Sequence, residues 1–328
     1  MPNQIMAKTS VLCIGQLVAD IVVRPVCNLP VPGRTELVED LQLLAGGCAA
    51  NTAAVLAKLG AKVRLAAVIG QDALGNAVLA ELKTSGVGLK AVVRKAGVPT
   101  SAAIVLISDV GERSFFYRNG GNELLANSHV ADSVLKAASL VHVGGALKLL
   151  SLDLTELMSR AKSFGCTTSL DTDWDVHGKW MRKLNGALPR IDYLMTNEEE
   201  AARLTGKEAC SAAARDLLAR GPQAVVIKRG QHGAMLATRS GITEVPAYRI
   251  EVRDTTCAGD SFAAGFLLGI SRGWPLDESL MLANAAGALC TTQLSHLGIT
   301  CLEDLLRLIK TQPSSLTLNH QPSPSSRS

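Results

Sequence analysis

The chain has 328 residues, of which 47% are hydrophobic and 19% charged, a balance that supplies a large core and excludes general disorder. Lysine and arginine number 33 against 29 acids, so the net charge of +4 is too mild for a nucleic-acid footprint and leaves small anions as the charged ligands to consider. The 8 cysteines are scattered without a C-x-x-C pair, which argues against a zinc site or a secreted disulfide framework and fits a reducing, cytoplasmic setting.

The run from Val11 to Val23, interrupted by Gln16 and Asp20, reads as a first strand, because no small-residue cleavage site follows it. No apolar run reaches the roughly 18 to 20 residues that a membrane span needs, so no membrane partner is expected. Short β-branched runs recur at 63–69, 140–143, 167–170, 193–195 and 224–227, with amphipathic stretches between them. Gly60, Gly86, Gly165, Gly206 and Gly221 stand where the helical patterns stop. The alternation is that of βαβ crossovers and predicts a parallel sheet covered on both faces.

Residues 20–45 and 91–118 break this rhythm and read as strands of an insert. Within the second, 102–107 and 113–117 flank Ser108-Asp109-Val110-Gly111-Glu112, a hairpin able to cover a cleft. After Glu251 successive helices are predicted at about 259–271, 277–293 and 302–310. The expected organisation is one core over 10–312, lid inserts at about 20–45 and 91–118, and a disordered Pro-, Ser- and Gln-rich tail over 313–328.

Two glycine-containing turns carry the chemistry. Asp254-Thr255-Thr256-Cys257-Ala258-Gly259-Asp260 ends a strand and opens a helix; its small residues let backbone N–H groups approach a ligand at the positive end of the helix dipole, which makes an anion hole. Asp260 within it either caps the helix or accepts a proton from an attacking hydroxyl. Gly46-Gly47-Cys48-Ala49-Ala50-Asn51 also opens a helix. Its paired glycines admit a small polar molecule and the Asn51 amide can both donate to and accept from a hydroxyl, although an ordinary helix start has the same appearance. Other signals carry less. Gly86-Val87-Gly88-Leu89-Lys90-Ala91 follows a helix instead of opening one, no P-loop occurs, and the 6 histidines lack ligand spacing, reading as surface or satisfied core residues.

Taken together, DTTCAGD and GGCAANTA resemble the C-terminal DTxGAGD and N-terminal GG-x-x-x-N-x-A signatures of the PfkB family of carbohydrate kinases, with the ribokinase-like fold. Gly15 to Asp20, the N-x-x-E run Asn197-Glu198-Glu199-Glu200 and the K-x-G-x-x-G segment from Lys228 to Gly233 are similar to further family elements, in order, over about residues 11–310. The resemblance implies a three-layer α/β/α fold with a mostly parallel central sheet and a small β-strand lid. It implies ATP-dependent phosphorylation of a hydroxyl on a small sugar or sugar derivative. Asp260 becomes the general base, and Cys257, Ala258 and Gly259 join it in the anion hole. Asp20, Gly46, Gly47 and Asn51 would take the sugar hydroxyls; Asp20 also suits a strand-end turn. Asn197 and Glu200 would hold Mg2+ through water, with Asn197, Lys228, Gly230, Gly233 and Thr255 along the nucleotide. Asn284 and Gly287 would stand in the adenine wall, in a run equally suited to close helix packing. Asp254 and Thr256 match a monovalent-cation site, but the downstream run 291–298 departs from the family's V-T-R-x-G-A-like element.

Cys257 stands where the signature usually has glycine, and a small side chain in an ordinary backbone conformation would fit there, with a thiol beside the phosphate path. For the acceptor, Arg118 and Arg113 could clamp a phosphate or carboxylate or be solvated, and Asp171-Thr172-Asp173 faintly resembles a D-x-N element of sugar-acid kinases. A nucleoside kinase acting on a ribose 5′-hydroxyl is the alternative, though aromatic residues make up only 3% of the chain; a non-catalytic sugar-binding relative is a third. Exposed strand edges on the lid would be covered in a homodimer.

Overall fold

In the computed structural model, which describes residues 10–109, 112–293, 298–299, 301–312 and 317–318, strand β1 (Ser10–Gly15) is buried along its whole length. Val11 and Cys13 enter one core while Leu12 and Ile14 enter another, the period-two pattern of a strand inside a sheet covered on both faces. The chain continues through β2 (Val18–Arg24), β3 (Asp40–Gly46), α1 (Cys48–Lys58), β4 (Lys62–Ala66), β5 (Val68–Gly70), α2 (Ala73–Thr84), β6 (Val93–Lys95), β7 (Ala102–Ile107) and β8 (Arg113–Arg118). Next come α3 (Asp132–Lys136), β9 (Leu140–Gly144), α4 (Leu154–Ser163), β10 (Thr167–Asp171), α5 (Met181–Leu184), β11 (Tyr193–Asn197), α6 (Glu198–Thr205), α7 (Cys210–Ala219) and β12 (Ala224–Lys228). Strands β13 (Ala234–Thr238) and β14 (Gly241–Val245) precede α8 (Ala258–Ser271), α9 (Leu276–Cys290), α10 (Leu302–Thr311) and β15 (Thr317–Leu318).

The main sheet has the order β15-β14-β13-β12-β11-β10-β9-β1-β4. From β12 to β4 all pairings are parallel, and β13 and β14 add an antiparallel extension. One core takes side chains of α1, α2, α8, α9 and α10, the other those of α3 to α7, which gives three layers. Gly206 shows how the helices stop: it closes α6 in the left-handed conformation at φ 71°.

A second, four-stranded sheet of order β3-β2-β7-β8 forms the lid. Register places Asp20, Ala103 and Tyr117 side by side on one face, and by alternation Val22, Val105 and Arg113 share it. Ile21, Leu43, Ile104 and Phe116 lie on the opposite face.

Several boundaries differ from expectation. The run 63–69 is two strands, β4 and β5, and β5 pairs with β6 in a small separate sheet, so the second lid segment starts at Ala102 and not near 91. Among the histidines, His142 is neither at the surface nor satisfied: it is fully buried, one ring nitrogen meets Ser169 Oγ at 3.2 Å, and Nε2 has no partner. Burial, then the Lys228 charge, pushes it down to about 3, so it is neutral. The tail over 313–328 lies outside the described residues apart from Thr317–Leu318, which pairs with β14; Val110 and Gly111 of the lid turn also lie outside them. No described helix is long and apolar enough to cross a membrane, and the eight cysteines are free thiols.

Candidate active site

Parallel strands deliver their carboxyl ends to one edge of a sheet, where ligands of such sheets bind. Here Gly15, Gly144, Asp171, Asn197 and Lys228 end β1, β9, β10, β11 and β12. The N-termini of α1 and α8 meet at this edge. Asn51 Nδ2 donates to Asp260 Oδ2 at 2.8 Å, and Thr52 Oγ1 donates to the Asp260 carbonyl at 3.2 Å. The other amide atom, Asn51 Oδ1, is buried with no partner. An unmet acceptor of this kind costs about 1–3 kcal/mol until a donor reaches it, and a ligand hydroxyl is such a donor.

Asp20 lies against the first glycine pair. A methyl group on Gly46 would collide with the Asp20 carboxylate, and one on Gly47, which holds φ 93°, would stand 2.7 Å from the Gln16 carbonyl oxygen. Only glycine leaves room for that carboxylate beside the α1 mouth. Burial, then neighbouring Glu81, pushes Asp20 up to about 6.

The anion loop is tied down from behind by the end of α9: the Arg253 and Asp254 amides donate to the Thr291 carbonyl. Asp254 Oδ1 accepts from the Thr256 amide at 2.9 Å and from Thr256 Oγ1 at 2.6 Å. Cys257 is the N-cap of α8 with φ 63° and ψ 3°, which corrects the expectation of an ordinary backbone there: the position is left-handed, and that is why glycine suits it. Because α8 starts at Ala258, the Gly259 and Asp260 amides have no intrahelical acceptor. Burial pushes Asp260 up to about 7 against the opposing hydrogen bond from Asn51.

Lys228 reaches under this mouth; a methyl on Gly259 would lie 3.4 Å from its Nζ. The ammonium donates to both Asp171 oxygens, at 2.7 and 2.6 Å. Burial works against the charge, but Asp171, Glu200 and Asp260 outweigh it and raise the Lys228 pKa. Asn197 and Glu200 form a capping box on α6: Asn197 Oδ1 accepts from the Glu200 amide at 2.8 Å, and Asn197 Nδ2 donates to Glu200 Oε1 at 2.9 Å. Thr172 Oγ1 donates to Glu200 Oε2 at 2.5 Å. Both Glu200 oxygens are thus already bonded within the protein, and among the described residues no three acid, histidine or cysteine side chains are grouped to hold a metal directly. The pair fits an ion held through its own waters.

The remaining expected positions serve packing more visibly than binding. Asn284 Nδ2 donates to the Pro246 carbonyl at 2.7 Å, and Gly287 packs α9 on Phe262 and the Ala258 carbonyl of α8. Gly230 begins a short 3-10 turn, and Gly233 passes so close to the Val245 carbonyl that no side chain fits. Arg118 is a correction: it lies on the lid face opposite Asp20, where it donates to the Thr100 carbonyl at 2.9 Å.

Sequence reasoning met Asp171 and Asp173 only through the D-x-N resemblance; it did not find that Asp171, the acid that closes β10, holds Lys228, or that Lys148 pairs with Asp173 at 2.9 Å beside Cys48. An acid ending a buried strand was the available signal for the first; nothing in the sequence links Lys148 to a residue 25 positions on. Arg113, weighed with Arg118 as a clamp, is the lid arginine that reaches the anion loop, donating to Thr255 Oγ1 at 2.7 Å and to Thr256 Oγ1 at 2.9 Å.

A family model described as pfkB family carbohydrate kinase matches residues 8–302. The chain is 30% identical over 267 residues to probable fructokinase-5 of Arabidopsis thaliana, covering 76% of this chain and 82% of that protein. It is 27% identical to a nucleoside kinase of Methanothermobacter thermautotrophicus over 278 residues, covering 84% and 87%. The solved structure of Arabidopsis thaliana ribokinase complexed with ribose and ATP superposes with a TM-score of 0.79 at 28% identity, covering 92% of this chain and 98% of that one.

Proposed function

The chain belongs to the pfkB family of carbohydrate kinases, and from that premise we propose that it transfers the γ-phosphoryl group of ATP to a hydroxyl of a small sugar or sugar derivative, with Asp260 as general base. The observation that carries the reading is the meeting of Asn51 and Asp260 at 2.8 Å, which sets an acceptor-binding amide and a carboxylate raised toward neutral pH at one helix mouth. The acceptor hydroxyl loses its proton to Asp260 while its oxygen bonds to the γ-phosphorus. The bond to the β–γ bridging oxygen breaks with its electron pair leaving on ADP.

The Gly259 and Asp260 amides, with the α8 dipole behind them, take the growing phosphoryl charge. Asp20 and the unmet Asn51 Oδ1 receive acceptor hydroxyls, and Gly46 and Gly47 leave the space. Lys228, kept an ammonium by Asp171, adds positive charge beneath the phosphates. Asn197 and Glu200 would hold magnesium through its waters, and that ion supplies neutralisation of phosphate charge. No role is assigned to a monovalent cation, since the positive charge that meets Thr256 is that of Arg113. A second copy of the chain over the lid and a reducing compartment, suited to eight free thiols, complete the reading.

The relatives differ in acceptor, so the test is a panel of sugars, sugar acids, sugar phosphates and nucleosides with ATP consumption followed for each. ATP consumption with a sugar or sugar derivative is expected, and Asp260→Asn should lower kcat by about 10² to 10⁴ while binding stays measurable. Wild-type turnover by Asp260→Asn would remove the base assignment, and preference for a nucleoside would replace the acceptor.

A further inference from the structure

Building on the phosphoryl-transfer reading above, we propose that Arg113 is the cationic clamp on the transferring phosphoryl group, carried into the site by the lid. Three observations converge on this residue. Its two terminal nitrogens straddle the hydroxyls of Thr255 and Thr256, at 2.7 and 2.9 Å, immediately before the α8 mouth. It has no direct ion pair among the described residues, whereas Lys228 is paired with Asp171 and Lys148 with Asp173; the Asp254 carboxylate reaches it only through the Thr256 hydroxyl. It also shares a lid face with Asp20, through the register that sets Asp20 beside Ala103 and Tyr117, with Arg113 four residues before Tyr117.

A guanidinium held only by two neutral hydroxyls, with further N–H donors to spare, is matched to an anion. Its planar fork accepts two phosphate oxygens at once, which an ammonium cannot do. As the acceptor oxygen bonds to the γ-phosphorus and the bridging oxygen leaves with its electron pair, charge spreads over the γ-oxygens and the leaving group, and a clamp seated at the loop meets it there. Since one rigid sheet carries both Asp20 and Arg113, the contact that recognises the acceptor also seats the clamp. Water cannot engage Asp20 as a polyol does, so ATP is spared when no acceptor is bound.

The test compares wild type, Arg113→Ala and Arg113→Lys with the acceptor found in the panel, alongside thermal melting of each. Arg113→Ala is expected to lose about 100-fold or more in kcat, with nucleotide affinity changed far less, because the contact matures in the transition state. Arg113→Lys should recover only part of the loss, since it restores charge without the fork. Guanidinium ion added at sub-denaturing concentration should restore Arg113→Ala turnover in a saturable way, a rescue that a merely structural arginine would not show. A kcat for Arg113→Ala within about threefold of wild type, or a loss confined to KM, overturns the proposal. So does a well-folded Arg113→Ala that guanidinium leaves inactive. If wild type itself consumes no ATP with any acceptor, the kinase reading fails first, and the two failures are thereby distinguished.

Discussion

Asp260 titrates in the range where the enzyme would work, and the cause is local. Burial lifts its pKa from 3.8 to about 7, while the hydrogen bond from Asn51 favours the carboxylate and holds the rise in check. Only the ionised form can take a proton from a hydroxyl, so kcat/KM should climb with pH through about 7 and level off above it, the free-enzyme limb of a general base. Asn51→Ala removes the donor that stabilises the carboxylate and should move this limb to higher pH; a pH profile of kcat/KM for both proteins checks the pair. A flat profile between pH 5 and 8 would separate Asp260 from proton transfer. The linkage to stability has the opposite sign. A carboxyl whose folded pKa is raised binds its proton more tightly when folded, so its contribution is present below the unfolded value near 3.8 and is lost as pH rises through about 7. The condition that arms the base is therefore the one in which its burial destabilises the fold.

Helix α8 begins on a residue that L-amino acids disfavour, and this fixes the cost of the family departure at Cys257. The left-handed conformation at φ 63° crowds a Cβ by about 1–2 kcal/mol relative to glycine, offset in part by glycine's larger unfolded-state entropy. Cys257→Gly should thus keep full turnover and unfold at the same temperature or slightly above. Cys257→Val, with a β-branched side chain in a buried left-handed site, should melt lower and turn over more slowly, since the Gly259 and Asp260 amides ride on this cap. A lower melting temperature for Cys257→Gly would show that the thiol packs in a way the backbone cost does not outweigh. The contrast with α6 explains what could be read from the chain alone. Asn197 and Glu200 form a local motif three residues apart, and the unbroken burial of β1 follows from its own apolar composition, so both were legible. The φ of Cys257 was not, because it is set by where the loop is tied to Thr291 and Thr256 to Asp254. Nor could the choice between Arg113 and Arg118 be made: they are five residues apart, so alternation sends them to opposite faces, and which face covers the site depends on the register of β7 with β8. The same register decides that Arg118 meets Thr100.

At the scale of the whole molecule, the lid presents two chemically different faces. Its inner face carries Asp20 and Arg113 toward the strand ends, and its outer face is apolar, with Leu41 64%, Phe116 61% and Ile104 40% exposed and Leu43 beside them. A contiguous apolar sheet face in water, bounded by unpaired edges at β3 and β8, favours association, and a second copy of the same chain is the partner that a two-fold axis supplies with a matching surface. The wild-type chain should therefore be a dimer by light scattering at micromolar concentration, and Leu41→Asp combined with Phe116→Asp should be a monomer that still binds ATP. Because the outer face is one side of the sheet that holds the acceptor contact, freeing it should also loosen Asp20. The monomeric variant is expected to show a raised KM for the acceptor with a smaller change in KM for ATP, whose loop is also tied to the end of α9 through the Thr291 carbonyl. A wild-type monomer would leave the outer face without a partner of its own kind. A monomeric double variant with unaltered acceptor KM would show that the lid positions Asp20 unaided, through its pairing with β3 and β7.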